Sequence, residues 1–240
     1  MRVAVVTGAA GDIGAATARA FVEAGHMLVL LDRTSASLQG AEGLALLCDL
    51  ADPDAVAAAF AGVAARFPRI DVLANIAGIN HRAPVAEMRM ADWDRMMDVN
   101  VVGMFLTAKH AIPLMTGEGA AIVNMASISG HVASPDYPAY VATKAAVESF
   151  TWALSGEVGP QGIRVNAVAP GWVAAGFTRA ALDNAEDPTA LRAKAKSAHL
   201  LGRMARPEEV AAAIVWLASP KASFITGETL FVDGGLMRVH

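Results

Sequence analysis

Short apolar, β-rich runs alternate with longer Ala-rich segments along the whole chain, and this alternation restricts the fold more than any other feature. The runs cover residues 3–7, 27–31, 44–48, 72–75, 121–125 and 165–169. They are nearly continuous in apolar character, so each must be covered on both faces. The segments 13–24, 54–66, 91–112, 139–158 and 207–217 carry helical spacing and can supply that cover. Pro207-Glu208-Glu209 opens its helix with a proline and two acids, which suits a first turn whose free amides and dipole favour negative charge. The pattern predicts an α/β fold: a doubly wound, mostly parallel sheet with helices on both faces.

At 240 residues, a single domain spanning 1–240 can bury most of its apolar surface around one such sheet. Hydrophobic residues make up 55% of the chain, yet no charge-free run approaches the roughly 20 residues of a membrane span. The surplus apolar surface points to self-association. A net charge of −4 without a basic cluster excludes nucleic-acid and anionic-membrane partners and leaves a small molecule as the ligand. The run 3–6 leads straight into Thr7-Gly8 and leaves no secretion signal, so a cytoplasmic location is expected. Cys48, the only cysteine, lies in an apolar run and reads as a buried hydrophobe. The polar stretch 34–43 is too short for a full crossover helix, and 171–201 breaks the alternation as an irregular, flap-like segment.

Directly after the first run comes Thr7-Gly8-Ala9-Ala10-Gly11-Asp12-Ile13-Gly14, a glycine turn leading into a helix. Such a turn aims backbone amides and the helix dipole at a pyrophosphate. Eighteen residues past Gly14, at the end of the second run, stands Asp32, spaced to accept hydrogen bonds from the ribose hydroxyls of a dinucleotide. A carboxylate about 4 Å from a 2′-phosphate would be repelled by roughly 4 kcal/mol per charge at an effective dielectric near 20, which favours NAD over NADP. The neighbouring Arg33 reads as a solvated strand-end residue. Further along, Tyr140 and Lys144 stand four residues apart, on one helical face. Bringing a phenol from about 10 to about 7 asks for roughly 4 kcal/mol, within reach of an ammonium and a cationic nicotinamide acting together.

The ordered set of motifs closely resembles the short-chain dehydrogenase/reductase family over nearly the whole chain. TGAAGDIG is similar to its cofactor turn (Gly8, Gly11, Asp12, Ile13, Gly14), Asp32 to its NAD-selecting acid, and Cys48-Asp49-Leu50 to its adenine segment. Asn75-Ile76-Ala77-Gly78, Asn100, Ser127, Pro170-Gly171 with Val173, and the ending Val232-Asp233-Gly234-Gly235 complete the match. The resemblance implies a Rossmann-like sheet of seven strands, NAD (NADH) as cofactor, and a homotetramer. It also implies roles: Tyr140 as general acid/base, Lys144 lowering its pKa and holding the nicotinamide ribose, Ser127 orienting the substrate oxygen, and Asn100 anchoring a water linked to Lys144. No metal site is expected.

Two positions depart from the family pattern. Asp12 stands where a glycine is usual and is expected to turn away and cap its helix. Ala175 replaces a threonine that contacts the nicotinamide carboxamide, with Thr178 as a possible substitute. Substrate contacts are expected from Asn80, His81, Ser129, Tyr137, Trp172 and Phe177. The Asn80-His81 and Pro170-Gly171-Trp172-Val173 stretches resemble 3-hydroxybutyrate dehydrogenases, but the basic residues that hold the substrate carboxylate there are here Ser129 and Tyr137. A neutral polyol, sugar or cyclic alcohol, or the matching ketone, is therefore the expected substrate. The alternatives are a 3-oxoacyl-carrier-protein reductase and a non-catalytic dinucleotide sensor.

Overall fold

The computed structural model describes residues 2–37, 42–116, 119–132 and 135–238. Seven strands form one sheet among them: β1 (Arg2–Thr7), β2 (His26–Asp32), β3 (Gly43–Leu47), β4 (Val72–Asn75), β5 (Ala120–Met125), β6 (Ile163–Pro170) and β7 (Thr229–Val232). Their order is β3-β2-β1-β4-β5-β6-β7, and every pairing is parallel. Between them run α1 (Asp12–Glu23), α2 (Pro53–Arg66), α3 (Met90–Met97), α4 (Gly103–Ala111), α5 (Pro138–Val158), α6 (Gly176–Asp183), α7 (Pro188–Ser197) and α8 (Pro207–Ala218).

The two faces of the sheet explain why the strands are apolar throughout. Successive side chains of a strand point to opposite faces. Val3 and Val5 of β1 enter the core shared with α2, α4 and α5, which holds Phe60, Leu106 and Leu154. Ala4 and Val6 enter the core beneath α1 and α8, with Phe21, Ile214 and Leu217. Strand order reverses direction between β1 and β4, and this switch opens a crevice at the carboxyl ends of the strands. Thr7, Asn75 and Asn124 stand in register across β1, β4 and β5 at that edge.

Three features differ from the sequence expectations. Helical spacing over 91–112 predicts one helix, but a π-helical turn, Asp98–Val102, divides it into α3 and α4. The segment 171–201 is not irregular: it contains α6 and α7, and α7 is capped by Asp187, whose carboxylate accepts from the Ala190 amide at 2.9 Å. The seventh strand, β7, is contributed by four residues that did not stand out as an apolar run. Of the polar stretch 34–43, residues 38–41 lie outside the described residues and the rest carry no helix.

Candidate active site

The glycine turn is dictated by sterics. Gly8 adopts φ +65°, and a Cβ there would meet the Ala77 Cα at 2.7 Å. A Cβ on Gly14 would lie 2.0 Å from the Gly8 carbonyl oxygen. Gly11 precedes α1 as its cap residue without a side-chain bond, so the first-turn amides of Asp12, Ile13 and Gly14 face the crevice as free donors. The Thr7 hydroxyl accepts from the Ile76 and Ala77 amides at 3.0 and 3.1 Å, holding the 75–78 segment against the turn. Such a cradle fits the pyrophosphate of a dinucleotide. Asp12 does not cap α1. Its Oδ2 accepts from the Gly176 amide at 2.8 Å and pairs with Arg179 at 3.2 Å, because the start of α6 offers unpaired amides directly across the crevice.

Beside the turn, Asp32 accepts from the Ala10 amide at 3.0 Å and from the Thr34 amide and hydroxyl, both at 2.9 Å. These bonds fix the carboxylate at the end of β2 while leaving it an acceptor. Arg33 is exposed. Asp49 is gripped by Arg95 at 2.9 and 3.1 Å. Burial works to raise its pKa, but the Ala51 amide and the Arg95 and Arg33 guanidinium groups outweigh that, and the carboxyl lies below its ordinary value. Cys48 is buried, and burial pushes its thiol up to about 11, with Asp49 and Asp52 adding to the effect. Leu50 packs so closely on Gly103 that a Cβ there would stand 2.8 Å from its own.

The π turn places Asn100 against the segment that follows β4. Asn100 lies within it and clamps the backbone of Ile79, accepting from its amide at 2.8 Å and donating to its carbonyl at 2.9 Å. Its amide also donates to Thr143 of α5 at 3.1 Å. Lys144, one residue on, is buried and donates to the Met125 carbonyl at 2.7 Å. A Cβ on Gly78 would stand 3.5 Å from the Lys144 Nζ, so glycine there leaves room for the ammonium. Nζ lies 5.5 Å from the centre of the Tyr140 ring. Burial first, and then the neighbouring Tyr137, push the Tyr140 phenol well above its ordinary value, against the opposing influence of the Ser127 hydroxyl beside it. Burial takes Lys144 down to about 8. Asn100, Ser127, Tyr140 and Lys144 are thus brought together where the turn and the crevice meet.

The predicted substrate residues divide into two groups. Tyr137 stacks at a tilt against Tyr140, with ring centres 4.7 Å apart, and receives a 2.6 Å hydrogen bond from Asn80. Phe177, on α6, meets the Tyr140 ring edge-on at 6.3 Å. Ser129 instead donates its amide to Ser127 at 3.1 Å, shaping the turn that presents Ser127. His81 stands 3.7 Å from Asp92. Trp172 is half-buried and donates its amide to His199 at 3.1 Å. Ala175 and Thr178 are both buried.

Four contributors had no local signature. Arg82 lies over the Tyr137 ring, 4.3 Å from its centre. His199 is buried, with Nδ1 at 2.7 Å from the Ala195 carbonyl and Nε2 against Gly171, where a Cβ would clash at 2.6 Å. It braces Pro170-Gly171-Trp172. His131 and the buried Glu148 pair at 2.7 Å, tying the Ser127 turn to α5.

A dinucleotide cradle opening onto a phenol, a hydroxyl and an ammonium is equipped to move a proton on a substrate oxygen beside a hydride carrier. The chain belongs to the short-chain dehydrogenase/reductase family: residues 8–237 match the family described as enoyl-(acyl carrier protein) reductase. It is 42% identical over 248 aligned residues to cis-4-hydroxycyclohexanecarboxylate dehydrogenase of Sinomonas cyclohexanicum, covering 99% of this chain and 97% of that protein. It is 38% identical to D-threitol dehydrogenase of Mycolicibacterium smegmatis, over 98% of this chain and 92% of that one. In structure it resembles ligand-free aldohexose dehydrogenase of Thermoplasma acidophilum, with a TM-score of 0.93 and 33% identity, over 100% of this chain and 95% of that one. The protein is therefore an oxidoreductase of secondary alcohols and ketones that uses a nicotinamide dinucleotide.

Proposed function

We propose that this enzyme transfers hydride between NAD and the carbinol carbon of a ring alcohol, polyol or sugar, as a cytoplasmic homotetramer. The observation that carries the reading is the buried Lys144, one helical turn from Tyr140 with Nζ 5.5 Å from the centre of its ring, in the company of Ser127. Gly8, Gly11, Gly14 and the start of α1 would hold the pyrophosphate, and Asp32 the adenosine ribose. Its fixed negative charge supports NAD over NADP. The apolar Phe105 and Trp152, exposed on α4 and α5, support self-association. No described helix is long and apolar enough to cross a membrane.

Bound NAD supplies the hydride acceptor and a positive charge. The protein's own residues manage the proton. Ser127 orients the substrate oxygen through its hydroxyl. Tyr140, held neutral by burial, carries the proton that a developing alkoxide needs during reduction. In the oxidative direction Tyr140 must first lose its proton to solvent, so that the phenolate, stabilised by the Lys144 ammonium, can take the proton of the substrate hydroxyl. Phe177, edge-on to the Tyr140 ring, supplies an apolar wall beside the reacting oxygen.

The test is an NAD-coupled absorbance screen over polyols, sugars, cyclic alcohols and 3-hydroxyacyl thioesters. Tyr140→Phe should abolish turnover while NADH still binds. Undiminished turnover in that variant would end this assignment.

A further inference from the structure

Arg82 leaves the loop after β4 two positions beyond Asn80, and its guanidinium lies 4.3 Å from the centre of the Tyr137 ring. Tyr137 in turn lies 4.7 Å from Tyr140, so one aromatic ring links the cation to the phenol assigned to catalysis. A hydrogen bond binds the group further. The Asn80 amide donates to the Tyr137 hydroxyl at 2.6 Å, and the Arg82 charge favours the ionised phenol, against the burial that raises its pKa. With Asn80 donating to it, the phenolic oxygen keeps its own proton to give.

The rim beside Tyr140 therefore offers an amide, a phenol and a guanidinium, all as donors. Asp92 is committed elsewhere, pairing with Arg89 at 2.6 Å and facing His81 at 3.7 Å, and the exposed Asp136, whose carbonyl accepts from the Ala83 amide at 2.9 Å, forms no ion pair with Arg82. Arg82 itself has no carboxylate within ion-pair distance among the described residues. Stacking fixes the plane of the guanidinium, which lowers the cost of ordering its fork around a planar anion. Phe177 gives the opposite side of Tyr140 an apolar wall, suited to the carbon skeleton of a ring.

We propose that Arg82 is a specificity-determining residue for an anionic substituent, so that the substrate is a secondary alcohol carrying a carboxylate remote from its carbinol carbon. This rests on the hydride-transfer reading above and revises the expectation of a neutral substrate. Positions 129 and 137 carry no charge, but a positive charge reaches the same rim from position 82.

The experiment compares kcat/KM for 4-hydroxycyclohexanecarboxylate with its methyl ester, and for 3-hydroxycyclohexanecarboxylate with its methyl ester. The wild type should favour the acid of a pair by about tenfold or more, an advantage that shrinks in high salt. Arg82→Gln should remove that preference, and Arg82→Lys should keep part of it. If Arg82 only props Tyr137, the substitution lowers both members of a pair alike; an unchanged ratio overturns the proposal. So does a wild type that prefers the uncharged members, which leaves hydride transfer standing. A chain that oxidises no alcohol in these pairs or in the wider panel overturns both readings.

Discussion

The carboxylate of Asp12 accepts a hydrogen bond from the Gly176 amide at 2.8 Å, joining the glycine turn to the first turn of α6 across 164 positions of sequence. Arg179 completes the contact at 3.2 Å. An acid in the turn thereby serves as the cap of a different helix, and its charge is balanced by a guanidinium on that same helix. The segment that carries Phe177 is latched to the segment that would carry the pyrophosphate.

Because both partners are largely exposed, the ion pair contributes no more than about 1 kcal/mol. Asp12→Ala should therefore leave global unfolding nearly unchanged while amide exchange through α6 accelerates. It should also lower the KM for NAD, since a negative charge leaves the turn and Arg179 is freed. Unaltered exchange at residues 176–179 would show that the latch holds nothing.

His199 makes a different kind of contact. Nδ1 can donate to the Ala195 carbonyl while Nε2 accepts from the Trp172 amide, which fixes a neutral tautomer in a buried place. His199→Leu leaves the Trp172 amide unsatisfied at a cost of about 1–3 kcal/mol. Denaturant unfolding should register that loss, and the KM for substrate should rise as the 170–172 segment loosens. A variant as stable as the wild type would count against the brace.

What could be read in the sequence was what depends on neighbours along the chain. Strands β1, β2, β4, β5 and β6 are legible because burial on both faces demands unbroken apolar runs, β3 because its run is apolar although it stands half-exposed at the sheet edge, and the Tyr140–Lys144 pair because one helical turn aligns them. β7 has only four residues. The α7 helix buries Ala195 alone, so no apolar stripe betrays it, although Asp187-Pro188 is a readable helix start. The π turn is imposed by Asn100 reaching Ile79, and Arg82, His199 and the Asp12 latch all depend on segments that meet only in the fold.

Cofactor choice follows from the bonds of Asp32. Asp32→Asn keeps one acceptor for Ala10 or Thr34 but removes the charge that repels a 2′-phosphate. The ratio of kcat/KM for NAD over NADP should fall by about tenfold or more. Some loss of NAD affinity should accompany it, as the turn loses part of its anchor. A ratio that does not move would place the discrimination elsewhere, with Arg33 the next residue to substitute.

Lys144 makes stability and function oppose each other. Burial lowers it from its ordinary 10.5 to about 8, so between those values the unfolded chain binds a proton that the folded chain does not. Stability contributed through this group must rise with pH across that window, and the penalty is fully present below about 8. Lys144→Met removes the titration, at the cost of the bond to the Met125 carbonyl. Urea unfolding of both proteins from neutral pH to about pH 10 should show the variant's relative stability declining by on the order of 1–3 kcal/mol as pH rises, while its turnover stays abolished throughout. Burial of Cys48 affects both proteins alike, and the folded-state Tyr140 phenol, pushed well above its ordinary value, keeps its proton over this range in both, so the difference isolates the lysine. A difference that stays flat with pH would mean that Lys144 keeps its ordinary affinity for the proton, and the ammonium would then stand in a far more solvated place than its contacts describe.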